Sequence, residues 1–178
     1  IINFIYVGRL SYDKGVDITI EAFREYHKEN PDTRLTLIGD GMLKSMLSGR
    51  KAINDGIHWL GNVPHSKVDD FLKMGDVFVV PMSIGPLTSS MSVLEAMSCG
   101  LPLITTRVRD AEKLLSPTEG MLVESQSVRA VIDAMRLMAQ DKAKRVSMGM
   151  KCRQRILREH SWEKQVELIG AVYRGLSN

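Results

Sequence analysis

The chain has 178 residues, 44% hydrophobic and 25% charged, which describes one ordinary globular domain with enough apolar residues for a full core. Its net charge of +3 is too small to argue for nucleic acid as a partner. Cys99 and Cys152 stand far apart, beside nothing with metal-ligand spacing, so a reducing, cytoplasmic setting is expected rather than a disulfide or a metal site.

In chain order, short apolar runs alternate with longer amphipathic ones. Strands are expected at Ile2–Val7, Arg34–Ile38, Ile57–Leu60, Val77–Val80, Leu103–Thr105 and Met121–Val123. Between them the spacing predicts helices at Val16–Glu29, Met42–Ile53, Ser66–Met74 and Met91–Ser98, and a weaker one near Ala111–Leu115. After Val123 the pattern is all helical, at Ser127–Met138, Lys142–Glu159 and Trp162–Leu176, with Ser161 placed to cap the last helix. Strands alternating with helices make an α/β protein: a Rossmann-like, doubly wound, parallel six-stranded sheet with extra C-terminal helices. The chain starts inside a strand-like run without Met, as a piece of a longer protein would. No apolar run reaches the roughly 18 residues that span a bilayer. The cations Lys142, Lys144, Arg145, Lys151, Arg153, Arg155 and Arg158 read first as a solvated helix face, with acidic membrane lipids as the alternative contact.

Ligands of such a sheet bind beyond the carboxyl ends of its strands, so the loops there are the search area. The first, Gly8-Arg9-Leu10-Ser11-Tyr12-Asp13-Lys14-Gly15, offers a guanidinium and an ammonium suited to a diphosphate, or is a solvated basic turn. It is neither a dinucleotide fingerprint nor a P-loop. The second, Gly39-Asp40-Gly41, allows close approach of a ligand, or merely turns the chain. In the third, Trp59 to Pro64, an apolar slot at Gly61 and Val63 could hold a flat base, while Trp59 itself reads as core. The fourth runs from Pro81 through Ser89, Ser90 and Met91 into a helix whose first amides suit phosphate, unless the serines only cap it. Glu95, one turn inside, has apolar neighbours. A buried carboxylate there needs partners, and sugar hydroxyls would serve.

Five pieces in this order resemble the C-terminal, donor-binding domain of retaining GT-B glycosyltransferases, specifically glycosyltransferase family 4. They are Val7-Gly8-Arg9-Leu10 with Lys14-Gly15, Leu37-Ile38-Gly39-Asp40-Gly41, Leu60-Gly61 with Val63-Pro64, Leu94-Glu95-Ala96-Met97-Ser98-Cys99-Gly100-Leu101-Pro102, and Ser161-Trp162-Glu163-Lys164. The resemblance implies an enzyme of polysaccharide or glycolipid biosynthesis, a UDP- or GDP-sugar donor as substrate, and no metal or other cofactor. It implies an acceptor, glycan or lipid, held by an N-terminal domain of the same protein. Arg9 and Lys14 would neutralise the leaving diphosphate as the catalytic pair, with the amides around Ser90 and Met91 sharing the charge, and Glu95 would bind the ribose. Two positions depart from the family. Leu87 stands where a second glutamate should face the transferred sugar, and Val108-Arg109-Asp110-Ala111-Glu112 replaces a glycine-rich turn. Leu87 keeps two other readings open: a degenerate nucleotide-sugar-binding module without transfer, or a sugar-nucleotide epimerase.

Overall fold

A computed structural model describes residues 1–48, 55–85, 87, 90–108 and 110–176. All six expected strands form, at β1 (Ile2–Val7), β2 (Thr33–Ile38), β3 (Ile57–Gly61), β4 (Val77–Val80), β5 (Leu103–Thr106) and β6 (Gly120–Val123). They make one sheet in the order β3-β2-β1-β4-β5-β6, and every pairing is parallel. Every residue of β4 and of β5 is buried, as strands covered on both faces must be, and this is why they read as unbroken apolar runs.

The helices are α1 (Val16–Glu29), α2 (Lys44–Ser48), α3 (Val68–Leu72), α4 (Met91–Ser98), α5 (Ala111–Leu114), α6 (Val128–Gln140), α7 (Lys142–Arg155) and α8 (Trp162–Leu176). The helix expected at Met42–Ile53 is seen as α2, and positions 49–54 lie outside the described residues. The one expected at Ser66–Met74 is a short 3-10 turn, His65–Lys67, followed by α3. The one expected at Lys142–Glu159 is α7 continued by a π-helical turn, Ile156–His160. No helix among the described residues is long and apolar enough to cross a membrane.

The chain runs outward from β1 to β3, then returns to β4 beside β1 and runs outward the other way. With right-handed crossovers the helices of the two halves cover opposite faces. Residues Val16, Ile20, Phe23 and Tyr26 of α1 are buried, and Phe4 of β1 meets Phe23 and Tyr26 edge-on, with ring centroids 6.2 and 5.9 Å apart. Ser127, Asp141 and Ser161 cap α6, α7 and α8 through bonds from the amides of Ala130, Lys144 and Lys164, so the cap expected at Ser161 is made.

The basic run is not one solvated face. Arg145 is 5% exposed and donates to the carbonyls of Met138 and Ala139, at 2.7 and 3.0 Å, near the end of α6. These are carbonyls that a helix end leaves without intrahelical partners, and a guanidinium satisfies both. Arg155 is tucked against Glu119, Nε to Oε1 at 2.9 Å. The other five cations of the run are exposed.

Candidate functional site

The sheet reverses its direction of winding between β1 and β4, and ligands of such a sheet bind in the crevice beyond the carboxyl ends of the strands at that reversal. The five loops along that edge are bonded to one another in sequence. Gly39 N donates to Gly61 O at 2.8 Å, which joins the loops after β3 and β2. Leu10 N donates to Asp40 O at 2.9 Å, and Ser83 N to Asp13 O at 3.0 Å, carrying the chain through the loop after β1 to the one after β4. Leu87 N donates to Asp110 Oδ1 at 2.7 Å and brings in the loop after β5.

Two glycines permit this closeness. At Gly39, with φ 136°, a Cβ would stand 1.9 Å from the Gly8 carbonyl oxygen. At Gly15, with φ 66°, it would stand 2.0 Å from the Pro81 carbonyl oxygen. Both conformations favour glycine in any case, so the contact between the β1 and β4 loops rests on Gly15 twice over.

Arg9 is two-thirds exposed and pairs with Asp13 at 3.1 Å. Asp13 is held below the usual carboxylate range by the nearby Ser11 hydroxyl, which makes no hydrogen bond of ordinary geometry, and by Arg9, against the upward pull of burial. An exposed pair of this kind is worth about 0–1 kcal/mol, so Arg9 can exchange Asp13 for an anionic ligand at little expense. Lys14 is different. It is half-buried, has no carboxylate partner among the described residues, and places Nζ 3.9 Å from the Met82 sulfur. An ammonium partly removed from water beside a thioether lacks compensating charge, and an anion in the crevice would supply it.

The Arg9 backbone is fixed from below. The Tyr6 hydroxyl, at the end of β1, donates to the Arg9 carbonyl at 2.7 Å, and burial pushes its phenol far above the ordinary range, with Asp13 and Asp17 adding to the shift. Tyr6→Phe is expected to lower stability by about 1 kcal/mol, seen as a melting point lower by a few degrees in calorimetry. An unchanged melting point would show that the hydroxyl contributes nothing.

A cavity of about 360 Å³ lies over the ends of β1 and β2, between Gly8, Arg9, Gly39 and Asp40 on one side and Asn62 and Val63 on the other. A second, of about 220 Å³, adjoins it through His65 and Val68 and contains Glu95. Larger cavities, of about 540 and 500 Å³, lie at the amino ends of β1–β3 and beside β6. Volume alone would point to those. The topology points to the carboxyl ends of the strands, where Lys14 lies in the loop after β1 but lines neither of the two smaller cavities.

Among the residues expected to form a site, Gly8, Arg9, Gly39, Asp40 and Val63 share the first cavity. Gly61 gives its carbonyl to Gly39 instead of forming a wall. Asp40 is engaged locally, accepting from Gly41 N at 2.7 Å and from Lys44 Nζ at 2.6 Å, and both bonds hold its carboxyl below the usual range. Trp59 packs against the core and borders the cavity at the other end of the sheet, so it forms no part of a base slot. Ser90 is the buried N-cap of α4 with no side-chain cap bond, Met91 follows it exposed, and Ser89 lies outside the described residues. Glu95 is one-quarter exposed, with His65 Nε2 3.8 Å from its Oε1. The Leu87 side chain is fully buried and packs in the core. No group of three His, Cys, Asp or Glu among the described residues could hold a metal ion.

Four participants escape a reading of the motifs: Tyr6, Asp13, His65 and Asp110. Tyr6 alone carried a local signal, since a hydroxyl inside an apolar strand must find a partner.

The family profile described as "Glycosyl transferases group 1" matches residues 2–155. Glycogen synthase of Mycobacterium tuberculosis is 26% identical over 175 residues, which are 96% of this chain and 42% of that protein. A phosphatidylinositol N-acetylglucosaminyltransferase subunit of Arabidopsis thaliana is 29% identical over 181 residues, 97% of this chain and 38% of that protein. The chain therefore spans less than half the length of either relative. The solved sucrose-phosphate synthase from Thermosynechococcus elongatus superposes with a TM-score of 0.83 at 26% identity, covering 98% of this chain and 45% of that one.

Proposed function

From the premise that the chain belongs to the glycosyl transferases group 1 family, we propose that it is the donor-binding unit of a retaining glycosyltransferase, more narrowly one of glycosyltransferase family 4. The observation that carries this reading is Lys14, a half-buried ammonium without a carboxylate among the described residues, set where the sheet reverses. In this reading a nucleoside diphosphate sugar lies along the loops in one direction. Its base would lie against Asn62 and Val63 and its ribose would reach Glu95, which border adjoining cavities. Its diphosphate would lie toward Arg9, Lys14 and the start of α4, where Ser90 makes no side-chain cap bond. When the bond from the sugar to the diphosphate breaks, negative charge collects on the departing phosphate. Lys14 and the α4 amides would stabilise it, joined by Arg9 once that side chain leaves Asp13, and the reading calls for no metal. The sugar passes to a glycan or lipid acceptor held by an N-terminal domain of the same protein. A relative named for phosphatidylinositol supports a lipid acceptor, and with it a cytoplasmic, membrane-associated setting.

The transferred sugar lacks a carboxylate at Leu87, whose side chain is in the core. This one observation favours a second reading, a module that binds nucleotide without transferring sugar. Donor hydrolysis by the full-length protein separates the two, since the module should show none.

Calorimetric titration with UDP and GDP tests the shared part. One of the two should bind, and Glu95→Gln should weaken it about tenfold through loss of charged bonds to the ribose. Failure of both nucleotides to bind would end the proposal. Binding indifferent to Glu95→Gln would remove the ribose assignment.

A further inference from the structure

We propose that the outward face of α7 is a docking surface for an anionic lipid bilayer, independent of the crevice. One side of α7 is fixed by the fold, with Arg145, Met148, Gly149 and Cys152 buried, followed by Ile156 in the π-helical turn. The opposite side carries Val146, Met150 and Leu157, which are 52, 56 and 60% exposed. With a period of about 3.6 residues Val146 and Met150 fall on one side of α7, and Leu157 follows in the wider π-helical turn. Lys142 and Arg153 lie beside these side chains on one flank, and Lys151 and Arg158 lie further round on the other, with Lys144 beyond them next to the buried side. An apolar centre with cations along both margins is the arrangement of a helix lying in the plane of a membrane surface. The apolar side chains enter the boundary between headgroups and acyl chains, and the long basic side chains reach sideways to the phosphates.

The charges favour this occupant. Lys142, Lys144 and Lys151 have no carboxylate partners among the described residues. Arg153 donates to the Ser98 carbonyl at 2.8 Å, which holds its guanidinium along one margin. Arg158 alone meets an acid, Glu159, at 2.6 Å. Asp141 and Glu159 adjoin the run in sequence, Glu112 borders a cavity with Lys144, and Asp69 borders one with Arg153, so among the described residues the five exposed cations outnumber these four carboxylates. A surface for a polyanion such as DNA would need the cations but not the apolar centre, because phosphate contacts alone supply such binding. Three large apolar side chains between the cations require an apolar layer behind the anionic one.

The experiment is co-sedimentation of the intact chain with vesicles of phosphatidylcholine alone, or with one-third phosphatidylglycerol. Binding is expected to the mixed vesicles and not to pure phosphatidylcholine. Lys142→Gln/Lys144→Gln/Lys151→Gln should weaken it by roughly a hundredfold, because each lysine near an anionic surface contributes separately. Met150→Ser/Leu157→Ser should weaken it by about tenfold, through loss of buried apolar area. The triple Lys→Arg protein should bind as the wild type does. All substituted side chains are exposed, and matching thermal melts confirm that each variant folds. No binding to mixed vesicles would overturn the proposal. So would binding that survives both the lysine and the apolar substitutions, which would place the contact on another surface. Equal binding to a DNA duplex, insensitive to Met150→Ser/Leu157→Ser, would overturn it in favour of a polyanion site.

Discussion

Lys14→Met should weaken binding of UDP or GDP by about 10- to 150-fold, the equivalent of a charge-assisted contact worth about 1.5–3 kcal/mol, without lowering the stability of the free protein. The second half of this expectation separates a binding role from a structural one. Lys14 has no carboxylate partner among the described residues, and its Nζ lies 3.9 Å from the Met82 sulfur. Its charge therefore offsets nothing in the free protein, and a methionine of similar length should pack beside Met82 at least as well. Arg9→Ala should cost less affinity, about fivefold, because Arg9 is two-thirds exposed and must first leave Asp13. Under the proposed transfer reaction the order should repeat in kcat of the full-length protein, where a positioned donor to the leaving group is worth about 100- to 1,000-fold. Calorimetry and thermal melting of Lys14→Met decide the matter together. Undiminished nucleotide affinity would remove the ammonium from the site. A large loss of stability would mean that Lys14 holds the loops.

Arg155→Ala should destabilise the fold by about 3–5 kcal/mol at neutral pH, the usual loss when one member of a buried ion pair is removed. Glu119 is 7% and Arg155 18% exposed, and they meet at 2.9 Å. The other Glu119 oxygen accepts from Ser116 N at 2.7 Å, and the Glu119 carbonyl accepts from the Cys152 thiol at 3.1 Å. These contacts clamp α7 to the turn that starts β6. Without Arg155 the carboxylate stays buried with only Ser116 to offset its charge among the described residues. Glu119→Leu/Arg155→Met should recover much of the loss, since it removes both charges and the burden of desolvating them.

The pH dependence has a definite sign. Burial pulls the Glu119 carboxyl upward, but the bonds from Arg155 and Ser116 prevail and hold it below its ordinary value of 4.5. A carboxyl lowered in the folded state stabilises the fold above its unfolded value, and the contribution disappears as pH falls through the folded one. The melting points of wild type and Arg155→Ala should therefore differ fully near neutral pH and converge below about pH 4.5. A gap that stayed constant into acid would show that Arg155 acts by packing alone. The same burial pushes the Cys152 thiol up to about 12, so it should remain protonated throughout this range.

The sheet was legible from residue order alone. Val77–Val80 and Ile2–Val7 are strands because a run apolar on both faces has to be covered on both faces. The alternation of strands with amphipathic segments such as Val16–Glu29 then left few topologies open. Loop chemistry was legible for the same local reason. Glycines and cations directly after a strand lie at its carboxyl end wherever the rest of the chain goes, and Gly8, Arg9, Gly39 and Val63 do share a cavity.

Which charges are free was settled only by the folded packing. Seven cations between Lys142 and Arg158 look alike in a row. Arg145 is buried by the end of α6 and Arg155 by Glu119, a residue 36 positions away, while Lys142, Lys144 and Lys151 remain in solvent. The Leu87 side chain is in the core while its amide donates to the Asp110 carboxylate, and His65 stands beside Glu95 because α3, which follows its turn, packs against α4. Each of these pairings joins segments remote in sequence. A side chain's own neighbours set its propensity, but the carboxylate or carbonyl that will meet it is supplied by packing.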